Sequence, residues 1–270
     1  MNQDAFTRFA AVVEYDGHAF QGWQAQKHHT QTVQHAVDTA LSRIANAPIK
    51  TTCAGRTDTG VHALHQVVHF DAPQARRADQ WLMGTNSKLP HGVKLKWVGE
   101  VDPTFHARYS ALSRRYVYVM ERGASPSALQ AQHSTWIRQP LAVQAMRDAT
   151  QYLVGTHDFS AFRSAGCSAK TTTRTMHHLT IGEWEHWLWV DVCANAFLQR
   201  MVRNIVGALM SVGKGLRPPE WVDEVLKSGQ RERGAPTAVA NGLYLCEVRY
   251  PETFGVKDVN AAAFPLLLQR

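Results

Sequence analysis

The spacing of hydrophobic and polar positions divides the chain into two runs of elements. In the first run, apolar or alternating stretches predict strands, and apolar residues at helical spacing predict helices. The predicted strands cover residues 9–15, 49–54, 66–70 and 93–101, and the predicted helices cover 33–44 and 81–87. The order strand, helix, strand, strand, helix, strand is typical of a ferredoxin-like α+β fold, the split βαβ arrangement.

A similar order follows in the second run. The pattern predicts a strand over 114–120, a helix over 141–153, a hairpin of strands 175–183 and 187–194, a helix over 197–212, a short helix after Pro218-Pro219 and a strand over 243–250. We therefore expect an α+β protein with two related ferredoxin-like domains and mainly antiparallel sheets. A break near Asp102-Pro103 predicts an N-terminal domain over 1–103 and a C-terminal domain over 104–270.

Size and charge indicate a globular protein with an anionic partner. The 270 residues, of which 44% are hydrophobic, are enough for two domains with separate cores. The formal net charge is +7 at pH 7, and the positive residues are spread along the chain. Because neutralising phosphates releases counterions, this charge favours a polyanion such as a nucleic acid.

The cysteines and the apolar runs indicate where the protein acts. The four cysteines are far apart in sequence and form no Cys-x-x-Cys pair, which is typical of reduced thiols in a cytoplasmic protein. The apolar run before Glu14 is too short for the core of a signal peptide. No stretch approaches the ~20 apolar residues of a membrane span. We expect a cytoplasmic protein without a membrane partner.

The most informative stretch is the loop Gly55-Arg56-Thr57-Asp58-Thr59-Gly60, which the pattern places between two strands. A carboxylate in a short, rigid loop beside a guanidinium suits a nucleophile or a base, because its geometry is set before substrate arrives. The threonine hydroxyls are expected to bond local backbone and stiffen the turn. The alternative is an ordinary Asx-type turn in which Arg56 is a solvated charge.

Arg203 is the second informative position, because it interrupts an otherwise apolar helical turn from Met201 to Gly207. A part-buried guanidinium needs a carboxylate partner, and Asp58 is a candidate. Pairing with Arg203 would keep the Asp58 carboxylate ionised. The alternatives are that the arginine extends to solvent or pairs with Asp191.

Three further stretches carry residue types that bind nucleic acids. Tyr116 and Tyr118 project from one face of a predicted strand, where a tyrosine can stack on a base or move a proton; ordinary sheet packing is the alternative. The segment 105–109 combines aromatic, imidazole and guanidinium groups, which grip a nucleic-acid backbone. The segment 166–170 is typical of a flexible loop that accepts phosphate. Either segment could instead be plain surface.

Two other chemistries fit the sequence less well. His62, His65 and His69 suggest a zinc site, but a loop entering a strand does not present three imidazoles to one metal, and paired cysteines are lacking. Asp58-Thr59-Gly60 also matches aspartic proteases, which need two such aspartates sharing a proton, and the sequence has no second copy. We expect neither a metal site nor a protease.

Taken in order, the motifs resemble those of the tRNA pseudouridine synthase A family. They are Glu14-Tyr15-Asp16-Gly17 with Gly22-Trp23-Gln24, Gly55-Arg56-Thr57-Asp58-x-Gly60-Val61-His62-Ala63, Phe105-His106-Ala107-Arg108, Arg114-Arg115-Tyr116-x-Tyr118, Asp158-Phe159, Asn195-Ala196-Phe197, Met201-Val202-Arg203-Asn204-Ile205-Val206-Gly207 and Gly242-Leu243-Tyr244-Leu245. The resemblance implies a two-domain α+β homodimer with a catalytic cleft between the domains. It also implies isomerisation of uridine to pseudouridine at positions 38 to 40 of the tRNA anticodon stem-loop, without a cofactor.

The resemblance also implies a role for each site residue. Asp58 would be the catalytic aspartate, Arg203 its partner, Tyr116 a contact to the base, and Arg56 the side chain that helps to flip it. The expected substrate-binding residues are Phe105, His106, Ala107, Arg108 and Tyr109, then Gly166, Cys167, Ser168, Ala169 and Lys170, and finally Leu245. Lys170 stands where arginine is common, so the charge is kept and the planar fork is lost. The alternative function is a non-catalytic RNA-binding module, which the basic charge and the predicted fold suit equally.

Overall fold

A computed structural model describes residues 6–25, 31–73, 76–167 and 169–259 of the chain. The protein has a mixed α/β architecture with a large, mostly antiparallel sheet. The described residues form two compact units. One consists of those up to Leu112 together with those from Leu245 onward, and the other of those in Ser113–Tyr244. Within the described ranges, no helix has the length and apolar character needed to cross a membrane.

The first unit follows the predicted order of elements. These are β1 (Thr7–Tyr15), α1 (Val33–Ala45), β2 (Thr52–Cys53), β3 (His62–Ala72), α2 (Ala78–Asn86) and β4 (Val93–Glu100). β1 lies between β3 and β4, β2 pairs with β3, and all three pairings are antiparallel. An aromatic cluster fills the core, where Phe70 stacks on Phe9 at 5.6 Å and meets Trp81 edge-on at 5.2 Å.

The second unit contains β5 to β9 and α3 to α5. The elements are β5 (Ser113–Arg122), β6 (Thr135–Ile137), α3 (Val143–Thr150), β7 (Gly155–Asp158), β8 (Thr173–Trp184), β9 (Trp187–Ala194), α4 (Met201–Gly213) and α5 (Trp221–Ser228). The strand order is β5-β9-β8-β7 with antiparallel pairing, and β6 adds to β5 in parallel. The last strand, β10 (Leu243–Arg249), begins in this unit and continues in the first, where it lies beside β3.

Most predicted elements are present, and the differences have local causes. The predicted strand 49–54 shortens to Thr52–Cys53, because Ile49 and Thr51 donate their backbone N–H groups to the side chains of Ser42 and Asp38 on α1. The predicted hairpin at 183–187 is confirmed, with Glu185 in the left-handed region at φ 52°. Sequence patterns gave no signal for β6 and β7, which are too short to show a period.

The two predicted helices of the second unit also differ at their ends. α4 begins at Met201 rather than at residue 197, because Arg200 takes a left-handed conformation at φ 60° that a helix cannot continue. The predicted helix 141–153 is α-helical over Val143–Thr150 and ends in a 3₁₀ turn, Gln151–Leu153. Neither difference moves the apolar stripe of α4, which buries Met201, Ile205 and Leu209.

The compact units divide the chain at other positions than the domain boundary predicted after residue 103. Residues 104–112 belong with the first unit, where Arg8 of β1 donates to the backbone oxygens of Pro103 and Phe105 at 2.7 and 3.0 Å. Tyr250, just after β10, donates its hydroxyl to the Ala107 oxygen at 2.6 Å. The domains 1–103 and 104–270 therefore stay a prediction.

Candidate active site

The loop that carries Asp58 joins β2 to β3 and contains a tight turn. Asp58 is half-buried and Arg56 is exposed, whereas Thr57 between them is buried. The Val61 N–H donates to the Asp58 backbone oxygen at 3.2 Å, and Gly60 has φ 80°, which glycine adopts without steric cost. The backbone of Asp58 is therefore fixed from its C-terminal side.

Buried side chains fix the same loop from beneath. Gln66 of β3 donates from Nε2 to the Gly55 oxygen at 2.6 Å, and its Oε1 accepts from the Gly55 N–H at 3.4 Å. Its Nε2 also lies 3.4 Å from the Tyr15 hydroxyl, which bonds to the Thr57 hydroxyl at 2.8 Å. The sequence predicted that Thr57 bonds local backbone; its partner is instead a distant tyrosine of β1.

The glycine-rich loop 17–24 packs against the backbone of the Asp58 loop. The Trp23 N–H donates to the Thr57 oxygen at 3.0 Å. A Cβ on Gly22, which has φ 80°, would lie 2.8 Å from that oxygen, and a Cβ on Gly17 would lie 2.0 Å from the Val61 oxygen. Both positions need glycine because backbone meets backbone there. The sequence analysis identifies both glycine motifs but does not predict that they contact each other.

The three histidines of β3 accept backbone hydrogen bonds. Nδ1 of His62 accepts from the Gly17 N–H at 3.1 Å, Nδ1 of His65 from the Val248 N–H at 3.4 Å, and Nδ1 of His69 from the Ala107 N–H at 3.1 Å. Burial lowers the pKa of His65, and it lowers the pKa of His69 to about 4, with the nearby His106 and Arg8 adding to that shift. His65 and His69 thus link other segments to β3 as neutral rings.

Acid is expected to destabilise the fold through His69. The unfolded chain binds a proton on this imidazole near pH 6.5, whereas the folded chain does so only near pH 4. Stability therefore falls as pH drops through this window, by up to about 3 kcal/mol. The opposing effect of Asp71 on this pKa is smaller. Urea unfolding at pH 7 and pH 4.5 measures the loss.

The matched variant is His69→Asn, whose side-chain oxygen keeps an acceptor for the Ala107 N–H and does not titrate. Its free energy of unfolding is expected to fall less than that of the wild type between the two pH values. Equal losses in both proteins would contradict the assignment to His69.

The segment 105–109 has a buried and an exposed side. Phe105 is fully buried, with its ring 5.0 Å from that of Tyr250, so it supports the segment from the core. Tyr109 is 75% exposed, lies 4.3 Å from the His106 ring and carries the Arg108 guanidinium 5.6 Å from its centroid. The segment thus presents an aromatic face and a cation to solvent.

The charges of Arg56 and Arg108 both act on the buried Cys53 thiol. Burial raises the pKa of the Cys53 thiol to about 12, and the charges of both arginines oppose that shift. Arg56 is part of the Asp58 loop, and the charge of Arg108 acts on Cys53, the last residue of β2 before that loop. Such a grouping favours binding of phosphate.

The candidates of the second unit lie on β5 and α4. Tyr116 is almost fully buried, with its ring edge-on to Phe197 at 5.1 Å. Tyr118 bonds through its hydroxyl to Thr135 at 2.6 Å and to the Val239 oxygen at 3.0 Å, and burial raises its pKa to about 12. Tyr118 is therefore a core residue.

Arg203 is half-buried and anchored to the segment after α5. Its Nε donates to the Ala238 oxygen at 2.7 Å, and the Ala238 N–H donates to the Arg203 oxygen at 3.1 Å. Asp191, the alternative partner predicted from the sequence, accepts from Arg115 at 2.5 Å and from His178 at 2.9 Å. That alternative is wrong, because Asp191 pairs with Arg115 and His178 instead.

The remaining predicted residues lie in two places. Gly166 and Lys170 are exposed, and Cys167 and Ala169 are half-buried; Ser168 lies outside the described residues. The Cys167 N–H donates to the Ser164 oxygen at 3.1 Å, which closes a turn over residues 164–167. Leu245 of β10 is fully buried.

The sequence is similar to known enzymes over most of its length. The family model for tRNA pseudouridine synthase matches residues 11–110 and 149–251. A tRNA pseudouridine synthase A of Alcanivorax borkumensis is 49% identical over 93% of this chain and 94% of its own length. Those of Idiomarina loihiensis and Methylococcus capsulatus are 46% and 47% identical over 93% and 92% of this chain, and over 96% and 92% of their own.

Solved structures add little to this. The crystal structure of the archaeal box H/ACA sRNP Nop10-Cbf5 complex aligns with a TM-score of 0.36 and 15% identity, over 75% of this chain and 44% of that one. Similarity at that level does not identify a family or a function. The family model, in contrast, covers more than half of the chain, and the three relatives match nearly end to end. The chain belongs to the tRNA pseudouridine synthase A family.

Proposed function

We propose that the protein isomerises uridine to pseudouridine at positions 38 to 40 of the tRNA anticodon stem-loop, with Asp58 as the catalytic carboxylate. The observation that carries this proposal is the Asp58 loop, which buried hydrogen bonds and a second glycine loop hold in one conformation. An enzyme that must meet one sugar carbon needs its reacting group held in this way.

The chemistry fits the residue types at this loop. The reaction breaks the bond from N1 of uracil to C1′ and forms one from C5 to C1′, while C5 releases its proton to solvent and N1 gains one. It is therefore redox-neutral and needs no nicotinamide or flavin. Asp58 attacks C1′, attacks C6 or abstracts the C2′ proton, and all three routes need an ionised carboxylate. We assign to Arg203 the role of pairing with that carboxylate, supported by the bond from its Nε to Ala238, which orients the guanidinium.

We assign base flipping and most of the tRNA contact to exposed side chains. The target base is stacked in the tRNA and must be turned out, so Arg56 fills the space and holds a phosphate while the nearly buried Tyr116 contacts the base. Arg108 and Tyr109 grip the backbone beside it, supported by their exposure and by the Arg108 contact with the Tyr109 ring. Residues 166–170 add a further tRNA contact, and Leu245, although fully buried, stays a proposed contact to the substrate.

The finer architecture belongs to the same proposal. Four strands of the first unit have the order β4-β1-β3-β2 with antiparallel pairing, and β10 also lies beside β3. The order of these four strands matches the split βαβ arrangement and supports a ferredoxin-like fold for that unit. We extend this fold to the second half, with the catalytic cleft between the halves, and propose a homodimer. The four free cysteines support a cytoplasmic protein.

Arg56→Ala is expected to slow base extrusion while tRNA binding persists. Without this side chain, nothing from the protein fills the space that the extruded base leaves in the stack. We therefore expect the single-turnover rate of tritium release from [5-³H]uridine-labelled tRNA to fall roughly tenfold or more. Arg77→Ala, at an 80% exposed arginine of the same unit, is the matched control. A single-turnover rate equal to that of the wild type would rule out the flipping role.

Incubation with unmodified tRNA separates the enzyme from a binding module. After reaction, carbodiimide adducts that survive alkali mark each pseudouridine, and primer extension locates them. We expect stops at positions 38 to 40 that are absent without protein. Binding without any new adduct would support a non-catalytic RNA-binding module and overturn the proposal.

A further inference from the structure

We propose that Tyr15, Thr57 and Gln66 form a buried hydrogen-bond chain that positions Asp58 for the reaction. This inference deepens the proposed function, on which it rests. None of the three residues is expected to touch the substrate. They act on the rate through the backbone that carries the carboxylate, and we therefore call them positioning residues.

The hydrogen-bond chain begins at Gln66, whose side chain is fully buried. Its amide makes two bonds to the backbone of one residue, donating to the Gly55 oxygen at 2.6 Å and accepting from the Gly55 N–H at 3.4 Å. The side chain thus pairs with the loop as a neighbouring strand would, at the point where β2 has already ended. A buried amide is costly unless it is satisfied, so this contact selects one loop conformation.

Tyr15 passes this constraint to the residue before Asp58. The Tyr15 hydroxyl accepts from Gln66 Nε2 at 3.4 Å and shares a hydrogen bond with the Thr57 hydroxyl 2.8 Å away. The Tyr15 ring is 3% exposed and packs on Trp23 with centroids 5.8 Å apart, so the hydroxyl has little freedom. Because the Trp23 N–H also donates to the Thr57 oxygen, both the backbone and the side chain of Thr57 are held.

The arrangement predicts an effect on turnover rather than on binding. A carboxylate displaced by about 1 Å can lose about 100-fold in rate, because the attack geometry is set by the loop. The exposed groups that we assign to tRNA contact, Arg56, Arg108 and Tyr109, are not members of the chain. A loss of the Tyr15–Thr57 bond should therefore lower kcat and leave KM for tRNA nearly unchanged.

The test compares three variants in steady-state tritium release from [5-³H]uridine-labelled tRNA. Thr57→Val keeps the shape of the side chain and removes the hydroxyl; we expect kcat to fall roughly 10- to 100-fold with KM within about twofold. Thr57→Ser keeps the hydroxyl and should restore most of kcat. Thr51→Val is the matched control, because Thr51 is equally buried in the same unit and its hydroxyl bonds to Asp38 at 2.6 Å.

A double-variant cycle tests whether Tyr15 and Thr57 act through one bond. If they do, Tyr15→Phe combined with Thr57→Val should lose little more kcat than either change alone. Melting temperatures of all variants show whether a loss of rate is a loss of fold. The inference would be overturned if Thr57→Val and Thr51→Val lowered kcat equally, or if Thr57→Val raised KM and left kcat unchanged. Either result would leave the proposed function standing. If the wild type released no tritium, the proposed function itself would be contradicted.

Discussion

Asp58→Asn is expected to abolish turnover while tRNA binding survives. Asparagine keeps the shape of aspartate and removes the negative charge that each of the three routes requires. We expect the rate of tritium release to fall by roughly 10⁴-fold or more, the scale seen when the central group of an active site is removed. The substitution should leave the fold intact, because the backbone of the loop is held by Val61 and by the side chain of Gln66.

The control for this variant is Asp79→Asn, the same chemical change at an exposed residue of the first unit that pairs with Arg77. It should retain wild-type rate and binding. Filter binding of labelled tRNA to both variants separates loss of chemistry from loss of substrate. Retained tritium release by Asp58→Asn would refute the assignment of the catalytic carboxylate.

Gly17→Ala is the second substitution with a large expected effect. Its Cβ would lie 2.0 Å from the Val61 oxygen and 2.5 Å from the Val61 carbonyl carbon, both rigid backbone atoms. The clash pushes the glycine loop away from the Asp58 loop and strains the bond from the Gly17 N–H to His62. We expect the free energy of unfolding to fall by about 1–3 kcal/mol and kcat to fall with it.

Gly92→Ala provides the comparison, since its Cβ would make an ordinary contact of 3.4 Å with Phe20. Denaturant unfolding and tritium release of both proteins give the two effects. We expect a small effect from Gly92→Ala in both assays. A Gly17→Ala protein with wild-type stability and kcat would mean that the two loops do not constrain each other.

Much of the first unit could be predicted from the sequence, because its patterns are strong. α1 was predicted over 33–44 and runs over Val33–Ala45, since Thr32 caps its start and Asn46 takes the left-handed conformation at its end. The Asp58 loop was predicted between two strands, and it lies between β2 and β3. Glycines, threonines and alternating apolar residues carry this local information.

The partners of buried polar groups could not be predicted in this way. Tyr15 reads as the end of an apolar strand and Gln66 as the start of another, so neither pattern tells which hydroxyl meets which amide. Composition predicted that segment 105–109 presents its aromatic groups, yet the Phe105 ring is in the core. Periodicity reports which face is buried, whereas pairing across 51 residues, as between Tyr15 and Gln66, depends on tertiary packing.

The central claim is that Asp58 meets the sugar of an extruded uridine. A crystal structure of the Asp58→Asn protein bound to an unmodified anticodon stem-loop would test it most directly. We predict a uridine at one of positions 38 to 40 turned out of the stack, with its C1′, C2′ or C6 within about 3.5 Å of the substituted side chain. A uridine that stays stacked, or one extruded to a place that the residue 58 side chain does not reach, would contradict the claim.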